Sequence, residues 1–427
     1  MTMSKQHFDL VVVGGGQAGC AAALSGARGG MSVLLVEAAG SLGGAAVNGL
    51  VTPFRPFTTK VTENGEEKTL ALSQGIFTEL FDAYKADGFY GKQRDTRAIN
   101  AESMKLILDR KMREAGVRVL FHATLCGAAR EGRLVRSVSV ATIGGILEFE
   151  ADTFIDATGD ATLSAFAGVE FRLGRPADSL CQPMTLCFRL FNIDKEALWK
   201  AHGEIQALYK TFQDEGKIKN PRDNVLMFDT RLPGVVHFNT TRIVKHDPTD
   251  PFAVSEAEAL AREQALEMFR FLKENFDCCR NAEMMATAPS IGVRESRMIE
   301  ARHVLTRDEI VAGTHFPDGI AAGNYDIDIH SPDGGGTSHY YFPPGVYYTI
   351  PYRSLLPREF DNLVVAGRCI GATHEAQASI RIMPICVCTG EAAGAAAALA
   401  KESNVAVADV DATLLRARLR AGGAFVG

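Results

Sequence analysis

The sequence predicts an α/β protein, and three stretches of the 427-residue chain support this prediction. Residues 11–13 (VVV) form a short β-branched run that is followed by glycines and an alanine-rich segment. Residues 154–160 (FIDATGD) and 363–367 (LVVAG) are two further apolar runs that end in glycine turns. Short apolar runs of this kind are typical of parallel strands that are buried on both faces.

The first stretch carries a glycine motif between its strand and its helix. Gly14, Gly16 and Gly19 have GxGxxG spacing, and residues 21–27 belong to the predicted helix. Gly14 permits a tight turn, Gly16 lets the backbone approach a pyrophosphate, and Gly19 lets the helix pack closely on the strand. The amides and the positive dipole end at the helix N-terminus favour phosphate groups. The motif therefore predicts a dinucleotide site, and NAD and FAD both remain open.

An acidic residue follows the second predicted strand, Met31–Val36. Glu37 lies roughly twenty residues beyond the glycines, where a carboxylate is placed to accept hydrogen bonds from an adenosine ribose. A glycine-rich loop comes next and contains the doublet Gly43–Gly44. This loop is either a flexible connector or a second place where bare backbone lies against a cofactor.

The composition predicts a soluble cytoplasmic protein. The apolar fraction is 46%, the charged fraction is 22% and the net charge is −6, and no long basic run predicts nucleic-acid binding. The N-terminus lacks the apolar core of a signal peptide, and we expect that no stretch reaches the length of a membrane span. The nine cysteines include no CxxC pair, which indicates reduced thiols, and the ten histidines show no metal-ligand spacing.

The middle of the first half alternates between irregular and regular segments. Residues 55–97 are polar and glycine-containing and are predicted to be an irregular insertion. Asn100 is predicted to cap a helix that Gly116 stops, and a third strand is predicted at 117–121. Residues 123–155 predict a small antiparallel meander inserted into the α/β domain, because short strand patterns alternate with glycine turns.

Residues 171–344 predict a second domain on the substrate side, since they are richer in charge and lack the rhythm of parallel strands. Ser255 with Glu258 predicts a capping box that starts a long helix. The inward-facing residues predicted for this helix are Leu260, Leu266, Phe269, Leu272 and Phe276.

The chain then returns to the first domain. Leu363–Ala366 predicts a buried strand that ends at Gly367, and Pro384 is predicted to stand at a helix start, where its missing amide hydrogen is harmless. Gly390 and Gly394 lie among alanines in that helix. The pattern predicts that the helix packs very closely on something flat or on a strand.

Together these segments resemble the FAD-dependent oxidoreductases of the glutathione-reductase-like superfamily, which includes the fumarate-reductase-type flavoproteins. The segments that carry the resemblance are 11–23, 43–44, 154–160, 291–299 and, as the most specific, 350–400. The resemblance implies a Rossmann-like FAD-binding domain, a parallel sheet with the inserted antiparallel meander, formed by residues 1–170 and 345–427. It also implies that residues 171–344 are an α+β substrate or cap domain.

The resemblance further implies where FAD binds. The first glycine motif would hold the ADP half, the turn at 157–159 would lie near the diphosphate, and the helix after Pro384 would hold the isoalloxazine. Amides near Ile385 and Cys386 would face flavin N1 and O2, and Leu125 is a candidate for backbone contact with adenine. The predicted cofactor-binding residues are Gly14, Gly16, Gln17, Ala18, Gly19, Glu37, Ala38, Gly43, Gly44, Leu125, Ala157, Thr158, Gly159, Gly367, Arg368, Pro384, Ile385 and Cys386.

Three departures from the family pattern affect the predicted chemistry. Arg368 stands where many members place an acid that binds the ribityl hydroxyls. The stretch 41–48 has no histidine for covalent attachment, so we expect non-covalent FAD. There is one GxGxxG and no CxxC pair, which argues against an NAD(P)H domain and disulfide-reductase chemistry. Electrons would then come from the substrate or from a partner.

Four residues are candidates for catalysis, each with a structural alternative. Arg294 is either an anion clamp near the flavin or part of a salt-bridge network, and Arg381 lies in the connection beside the isoalloxazine. His374 in that connection is the first choice for a proton donor, the alternative being a buried structural histidine. The segment 326–353 adds His339, with His330, Tyr348 and Tyr352 as further candidates. No metal site is expected there, because the aspartate and histidine spacing matches none.

The function predicted from the sequence is hydride transfer between a small organic substrate and flavin N5. The arginines hint at an anionic substrate, and an electron-transfer partner or a homo-oligomer is also open. A flavin-dependent monooxygenase is one alternative, and a flavoprotein subunit in which FAD is structural is another.

Overall fold

The structure is a computed structural model that describes residues 6–63, 65–86 and 100–427. Its strands are β1 (Gln6–Val13), β2 (Val33–Val36), β3 (Thr58–Glu63), β4 (Glu66–Ala71), β5 (Arg118–Leu120), β6 (Thr124–Glu131), β7 (Leu134–Thr142), β8 (Gly145–Asp156), β9 (Phe171–Leu173), β10 (Phe188–Phe191), β11 (Met227–Asp229), β12 (Val236–Phe238), β13 (Glu283–Thr287), β14 (Arg297–Ile299), β15 (Gly319–Gly323), β16 (Ile327–His330), β17 (Thr337–Tyr340), β18 (Tyr348–Pro351) and β19 (Leu363–Val365). Its helices are α1 (Gln17–Arg28), α2 (Ile76–Ala86), α3 (Ala101–Glu114), α4 (Thr162–Ala167), α5 (Lys195–Lys200), α6 (His202–Asp214), α7 (Pro251–Asn275), α8 (Arg307–Val311), α9 (His374–Ile380), α10 (Met383–Ser403) and α11 (Ala412–Ala421).

The main sheet has the strand order β5-β2-β1-β8-β7-β6, and β19 also pairs with β8. The first four strands of this order and β19 run parallel, with Val12 paired to Leu35 on one side and to Ile155 on the other. The strands β6, β7 and β8 form the antiparallel meander. The long strand β8 joins both parts, because its end at Asp156 lies beside β1 and its beginning pairs with β7. The predicted α/β fold class with an inserted meander is confirmed.

The helix α10 packs most closely on α1, a helical partner that the sequence analysis did not predict, and it also contacts the strand β15. An added Cβ at Gly390 would collide with the Ala18 carbonyl oxygen, and one at Gly394 would collide with the Ala22 carbonyl oxygen. Both helices are built from small residues at this contact, so their backbones can approach closely. A helix pattern alone does not distinguish a helical partner from a strand, which is why the helical partner was not predicted.

A second, antiparallel sheet with the order β11-β12-β10-β13 lies beside α5, α6 and α7. A separate hydrophobic cluster fills the space between them, with Phe188 stacked on Phe238 at 5.0 Å between ring centroids. Its members come from residues 188–284. The remaining short strands after residue 297 pack on the large cluster around the main sheet. The domain boundaries at 170 and 344 stay a prediction.

Two local predictions are corrected by the structure. The stretch 55–97 is not irregular throughout, because it contains the hairpin β3–β4 and α2; residues 64 and 87–97 lie outside the described residues. The start of α7 has no capping box at Ser255. Asp250 caps the helix by accepting a hydrogen bond from the Phe252 amide, and the Ser255 hydroxyl donates back to the Pro251 carbonyl.

The buried face of α7 also differs from the prediction. Leu272 and Phe276 are buried as expected, but Leu260 is 42% exposed. The face turned to the core is formed largely by alanines together with Met268 and Phe271. The prediction placed only large apolar residues on the buried face, whereas the close packing of α7 buries mainly small alanine side chains.

The apolar helix α10 is long enough to cross a membrane by length and composition, which corrects the expectation that no stretch reaches that length. Of its most apolar 18-residue window, 89% is buried inside the protein. It is the one such helix in the part of the chain that the structure describes. Its apolar character is accounted for by contacts within the fold.

Candidate active site

The glycine turn after β1 brings two loops against each other. Gly14 has φ +102°, and an added Cβ would lie 2.5 Å from the Ala157 carbonyl oxygen. Gly16 precedes the first turn of α1, and no side chain caps the helix there. The first amides of α1 are therefore free to bind an anion that lies between the two loops. Gly19 packs against the Gly14 carbonyl, which is the close helix–strand approach that the motif predicted.

Glu37 is held by backbone amides at the end of β2. Its Oε2 accepts a hydrogen bond from the Gly15 amide at 2.6 Å, and its Oε1 accepts one from the Ala39 amide at 2.7 Å. Each carboxylate oxygen can still accept another hydrogen bond. The side chain is thus rigidly placed where the sequence predicts a ribose, and it also braces the glycine turn.

The turn at 157–159 is built by Asp156, a residue that the sequence prediction missed. Its Oδ1 accepts hydrogen bonds from the amide and hydroxyl of Thr158, and its Oδ2 accepts two from Ser164. Burial raises the pKa of Asp156, and these hydrogen bonds oppose the shift. Asp156 therefore shapes the turn, and it does not line the cleft.

Arg368 forms an ion pair with Asp160, with 2.5 Å between Nη2 and Oδ1. Gly159, at φ +80°, leaves room for this guanidinium, because an added Cβ would lie 2.6 Å from its Nη1. The Asp160 carboxylate also accepts a hydrogen bond from Ser296. The positive charge of Arg368 is therefore compensated by Asp160, which lies 208 residues earlier in the sequence.

The second helix N-terminus at the site belongs to α10. Ile382 precedes this helix without a side-chain cap, and Pro384 lies in the first turn as predicted. The Cys386 amide already donates to the Ile382 carbonyl at 3.0 Å. The predicted contact of amides near Ile385 and Cys386 with the flavin stays a prediction. In the first turn of the helix, the amides of Met383 and Ile385 have no intrahelical partner.

These elements enclose a cleft of about 1000 Å³. The predicted cofactor residues that line it are Gly14, Gly16, Gln17, Ala18, Glu37, Gly44, Ala157, Thr158, Gly159, Gly367, Arg368 and Cys386. The predicted residues outside its lining are Gly19, Ala38, Gly43, Leu125, Pro384 and Ile385. Further lining residues that were not predicted include Asn48, Asp160 and the segment 290–293. Direct contact of all these residues with a cofactor stays a prediction.

The cleft fits FAD by its shape and its donors. Two uncapped helix N-termini face it from α1 and α10, one suited to a diphosphate and the other to negative charge on a reduced flavin. At Gly14 and Gly16 the lining is bare backbone, which lets a long ligand approach the main chain. Glu37 lies in the same cleft as the acceptor for a ribose.

A second cavity of about 970 Å³ opens onto the cleft. The two share the lining residues Ala45, Gly292, Val293, Arg368, Arg381 and Met383. Five arginines line the second cavity, namely Arg55, Arg222, Arg294, Arg368 and Arg381, and Asp328 is its carboxylate. This arrangement creates a positively charged chamber beside the end of the cleft at which α10 begins. We call it the arginine cavity.

Arg294 lines the arginine cavity as the sequence prediction expected. Its Nη1 donates to the Pro183 carbonyl and to the Thr185 hydroxyl, and no carboxylate among the described residues forms an ion pair with it. Burial, and then the positive charges of Arg222 and Arg381, hold the pKa of Arg294 well below its ordinary value. The alternative of a salt-bridge network is not seen.

Arg381 also lies where it was predicted, between the two cavities. Its Nη2 is 3.3 Å from the Asp328 carbonyl oxygen and 3.6 Å from the Asp328 carboxylate. Its Nε is buried without a hydrogen-bond partner. A buried donor of this kind favours a ligand acceptor at the junction of the cavities.

The histidine of the arginine cavity is His330, not His374 or His339. His374 Nδ1 lies 2.7 Å from the fully buried Glu295 carboxylate, and this pair is outside the lining of both cavities. Burial, and then Arg294, lower the pKa of His330 to about 2, so its imidazole is neutral. The position of His374 in the sequence suggested an active-site role, but its side chain pairs with Glu295, and His330 on β16 lines the cavity instead.

The remaining candidates have structural partners. Tyr348 hydrogen bonds with Ser379, and Tyr352 donates to the Val407 carbonyl, and both are buried. His339 lies 2.6 Å from Asp326, near the protein surface. In the described ranges no three His, Cys, Asp or Glu side chains come together in the manner of a metal site.

The parallel sheet, the glycine turn and the two facing helix N-termini define a dinucleotide-binding flavoprotein. The chain belongs to the FAD dependent oxidoreductase family, which it matches over residues 9–419. Its cofactor is therefore FAD, and the protein is an FAD-dependent enzyme of the oxidoreductase class.

Individual relatives are more distant. The chain is 31% identical to Protein FixC of Bradyrhizobium diazoefficiens over 179 residues, which are 40% of this chain and 41% of FixC. It is 12% identical to a geranylgeranyl bacteriochlorophyll reductase-like protein of Thermoplasma acidophilum, with 99% and 93% of the two chains covered and a TM-score of 0.48. For p-nitrophenol 4-monooxygenase PnpA of Pseudomonas putida the identity is 12%, the coverage 97% and 84%, and the TM-score 0.44. Likeness this low says nothing about the reaction.

Proposed function

We propose that the protein is a dehydrogenase or reductase that exchanges a hydride between an anionic small organic substrate and N5 of non-covalent FAD. The observation that carries this proposal is the arginine cavity, which opens directly onto the cofactor cleft. Among the described residues neither Arg294 nor Arg222 has a carboxylate within ion-pair distance. A substrate anion would supply the missing negative charge.

The arginines act by binding and orientation. Burial lowers the pKa of Arg222 to about 10 and holds the pKa of Arg294 well below its ordinary value, so an anion that enters the cavity relieves an electrostatic cost already present. Hydrogen bonds to Pro183 and Thr185 fix the Arg294 guanidinium before the substrate arrives. A guanidinium held in this way orients a carboxylate or a phosphate and excludes water from the reacting face.

FAD supplies two-electron chemistry at N5 when it is bound. The α10 N-terminus favours negative charge at its end of the cleft, through amides that no side chain caps. Arg381 spans the junction and is placed to hold the substrate next to that end. The absence of a histidine in residues 41–48 supports non-covalent attachment.

Anaerobic bleaching of the holoenzyme tests the proposal. The panel consists of small 2-hydroxy acids for the oxidised protein and unsaturated acids for the reduced protein, each paired with its methyl ester. We expect one acid to change the flavin absorbance at about 450 nm. Its ester should react at least ~10-fold more slowly, because an anion contact is lost. An ester that reacts as fast as its acid would contradict the anionic substrate.

A flavin-dependent monooxygenase is the second candidate. The apolar wall of the arginine cavity favours it, because Phe228, Leu226 and Tyr325 would suit an aromatic substrate. NAD(P)H oxidation that an aromatic compound stimulates, with oxygen consumed, would support this candidate. Flavin that neither substrates nor reductants bleach would instead indicate a flavoprotein subunit in which FAD is structural. Cytoplasmic location and the oligomeric state stay predictions.

A further inference from the structure

A line of ionisable side chains runs along one face of the β16–β17 ribbon. Asp328 pairs with His339 across the two strands, and His330 pairs with Thr337. Because side chains alternate along a strand, Asp328 and His330 share a face, and their cross-strand partners lie on that same face. Asp328 and His330 line the arginine cavity, whereas the His339 side chain is 32% exposed. The ribbon therefore connects the cavity with solvent.

His330 has no nitrogen available as a base. The Arg242 Nη2 lies 3.0 Å from His330 Nδ1, and an arginine can only donate, so Nδ1 is the acceptor. The ring proton is then on Nε2, which lies 3.4 Å from the Asp328 carboxylate. Since Nδ1 accepts from Arg242 and Nε2 carries the ring proton, His330 offers no free base to a substrate.

Tyr325 and Asp328 are hydrogen bonded to each other in the wall of the arginine cavity. Both residues line the cavity, and the Tyr325 hydroxyl donates to Asp328 Oδ2 at 2.8 Å. Burial raises the pKa of Tyr325, so the phenol keeps its proton. Burial also acts to raise the pKa of Asp328, but His330 and Arg381 together hold it below its ordinary value. The pair is therefore a protonated phenol that faces an ionised carboxylate.

His339 is the next group on the path outward. Its Nδ1 lies 2.6 Å from Asp326 Oδ2, and a carboxylate accepts, so Nδ1 carries the ring proton. Its Nε2 is left as an open base that faces Asp328 Oδ1 at 3.8 Å. The ring stacks on Tyr341, which is 71% exposed. The orientation of His339 is thus fixed on both sides, with its basic nitrogen turned toward the cavity.

We propose that Tyr325, Asp328 and His339 form a proton relay between the arginine cavity and solvent. The inference rests on the proposed function. When a substrate alcohol is oxidised, its C–H hydride passes to FAD and its O–H proton passes to the Tyr325 oxygen. The Tyr325 proton moves to Asp328, then to His339 Nε2, and finally to water. Substrate reduction uses the same path inward. The Asp328–His339 distance must shorten by roughly 1 Å for the transfer.

Kinetics of three variants test the relay in the holoenzyme, with the hydroxy acid that bleaches the flavin fastest. We expect His339→Gln to slow bleaching at least ~10-fold with little change in KM, and added imidazole to restore the rate because His339 is reached from solvent. Tyr325→Phe should be as slow, without rescue, since Tyr325 is buried. His315→Gln is the matched control, because His315 is an exposed histidine whose Nε2 contacts the Tyr347 carbonyl.

A second measurement follows the protons directly. The fastest-bleaching acid is mixed anaerobically with the holoenzyme in weak buffer, and proton release to solvent is followed with an indicator dye. We expect release to keep pace with bleaching in the wild type and in H315Q, and to lag in H339Q until imidazole is added. Release that is equally fast in H339Q and H315Q would overturn the relay and leave the proposed function standing. If no acid bleaches the flavin, the proposed function fails, and the relay fails with it.

Discussion

The Arg294 guanidinium is held by a carbonyl and a hydroxyl, and it lines the arginine cavity without a carboxylate of the described residues within ion-pair distance. The sequence singled out this residue through its neighbours in the segment 291–299, but it left the role open. The chamber it faces also contains Arg222 and Arg381, which stand roughly 70 and 90 residues away in the chain, and such convergence is a property of the tertiary fold.

Arg294→Ala should weaken the binding of the anionic substrate. A lost hydrogen bond to a charged group costs about 1.5–3 kcal/mol, so we expect KM to rise about 10- to 100-fold. Arg294→Lys should recover part of the loss, because it keeps the charge without the planar fork. Steady-state kinetics measure the effect, and the flavin content after gel filtration shows that FAD is retained. Arg231→Ala, at an exposed arginine, is the control, and an equal KM change there would contradict the assignment.

Glu391 in α10 should make stability depend on pH. Its Oε2 accepts a hydrogen bond from the Ile76 amide, and burial raises its pKa from 4.5 to about 7. Between these values the unfolded chain is ionised while the folded chain keeps the proton. The free energy of unfolding therefore falls as the pH rises through this window, by up to about 3 kcal/mol.

Urea denaturation at pH 5 and pH 8 measures the effect of Glu391. Glu391→Gln should remove most of the pH difference, because the amide keeps the acceptor and cannot ionise. Glu402→Gln is the matched control, since Glu402 is exposed at the end of the same helix. A pH difference that persists unchanged in E391Q would show that other groups cause it.

At the scale of elements, the contact between α1 and α10 organises both ends of the cofactor cleft. The two helices present their N-termini to the same cleft, and Gly390 and Gly394 let their backbones touch. The spacing of glycines and alanines indicated a close contact, but it could not identify the partner. Which surface a small-residue helix meets depends on the path of the chain between residues 28 and 383.

Gly390→Ala should separate these helices. The added methyl group would meet the Ala18 carbonyl oxygen, and overpacking of this kind costs about 1–3 kcal/mol. We expect lower stability in urea and weaker FAD binding by fluorescence titration. Gly203→Ala is the control, because nothing lies within 4 Å of an added Cβ in α6 and the exchange there should be neutral or stabilising by up to about 1 kcal/mol. An unchanged FAD affinity in G390A would contradict the prediction that the α1–α10 contact supports cofactor binding.

At the scale of the whole molecule, FAD binding should stabilise the fold as a unit, because its cleft is lined by residues from both ends of the chain. With FAD at 100 times its Kd, the expected gain is about 2.7 kcal/mol. The thermal midpoint of the apoprotein should rise as FAD is added. Acid precipitation should leave the yellow colour in the supernatant; colour in the pellet would contradict non-covalent attachment.

The parallel strands and the glycine turn could be predicted from the sequence alone. Strands at 11–13, 154–155 and 363–365 follow from short apolar runs, and the turn at Gly14 follows from a backbone angle that other residues avoid. These are local properties. The apolar pattern of a short segment indicates its burial, and a glycine indicates a backbone conformation that other residues avoid.

Which polar side chains line the arginine cavity depends on the tertiary structure. His330, and not His374, lines the cavity. Arg368 forms its ion pair with Asp160, and the Tyr325–Asp328 pair lines the same cavity as Arg381. The neighbours of a charged side chain come from distant segments that meet when the chain folds. Sequence spacing carries no record of those distances, so the reacting side of the cleft had to be seen in three dimensions.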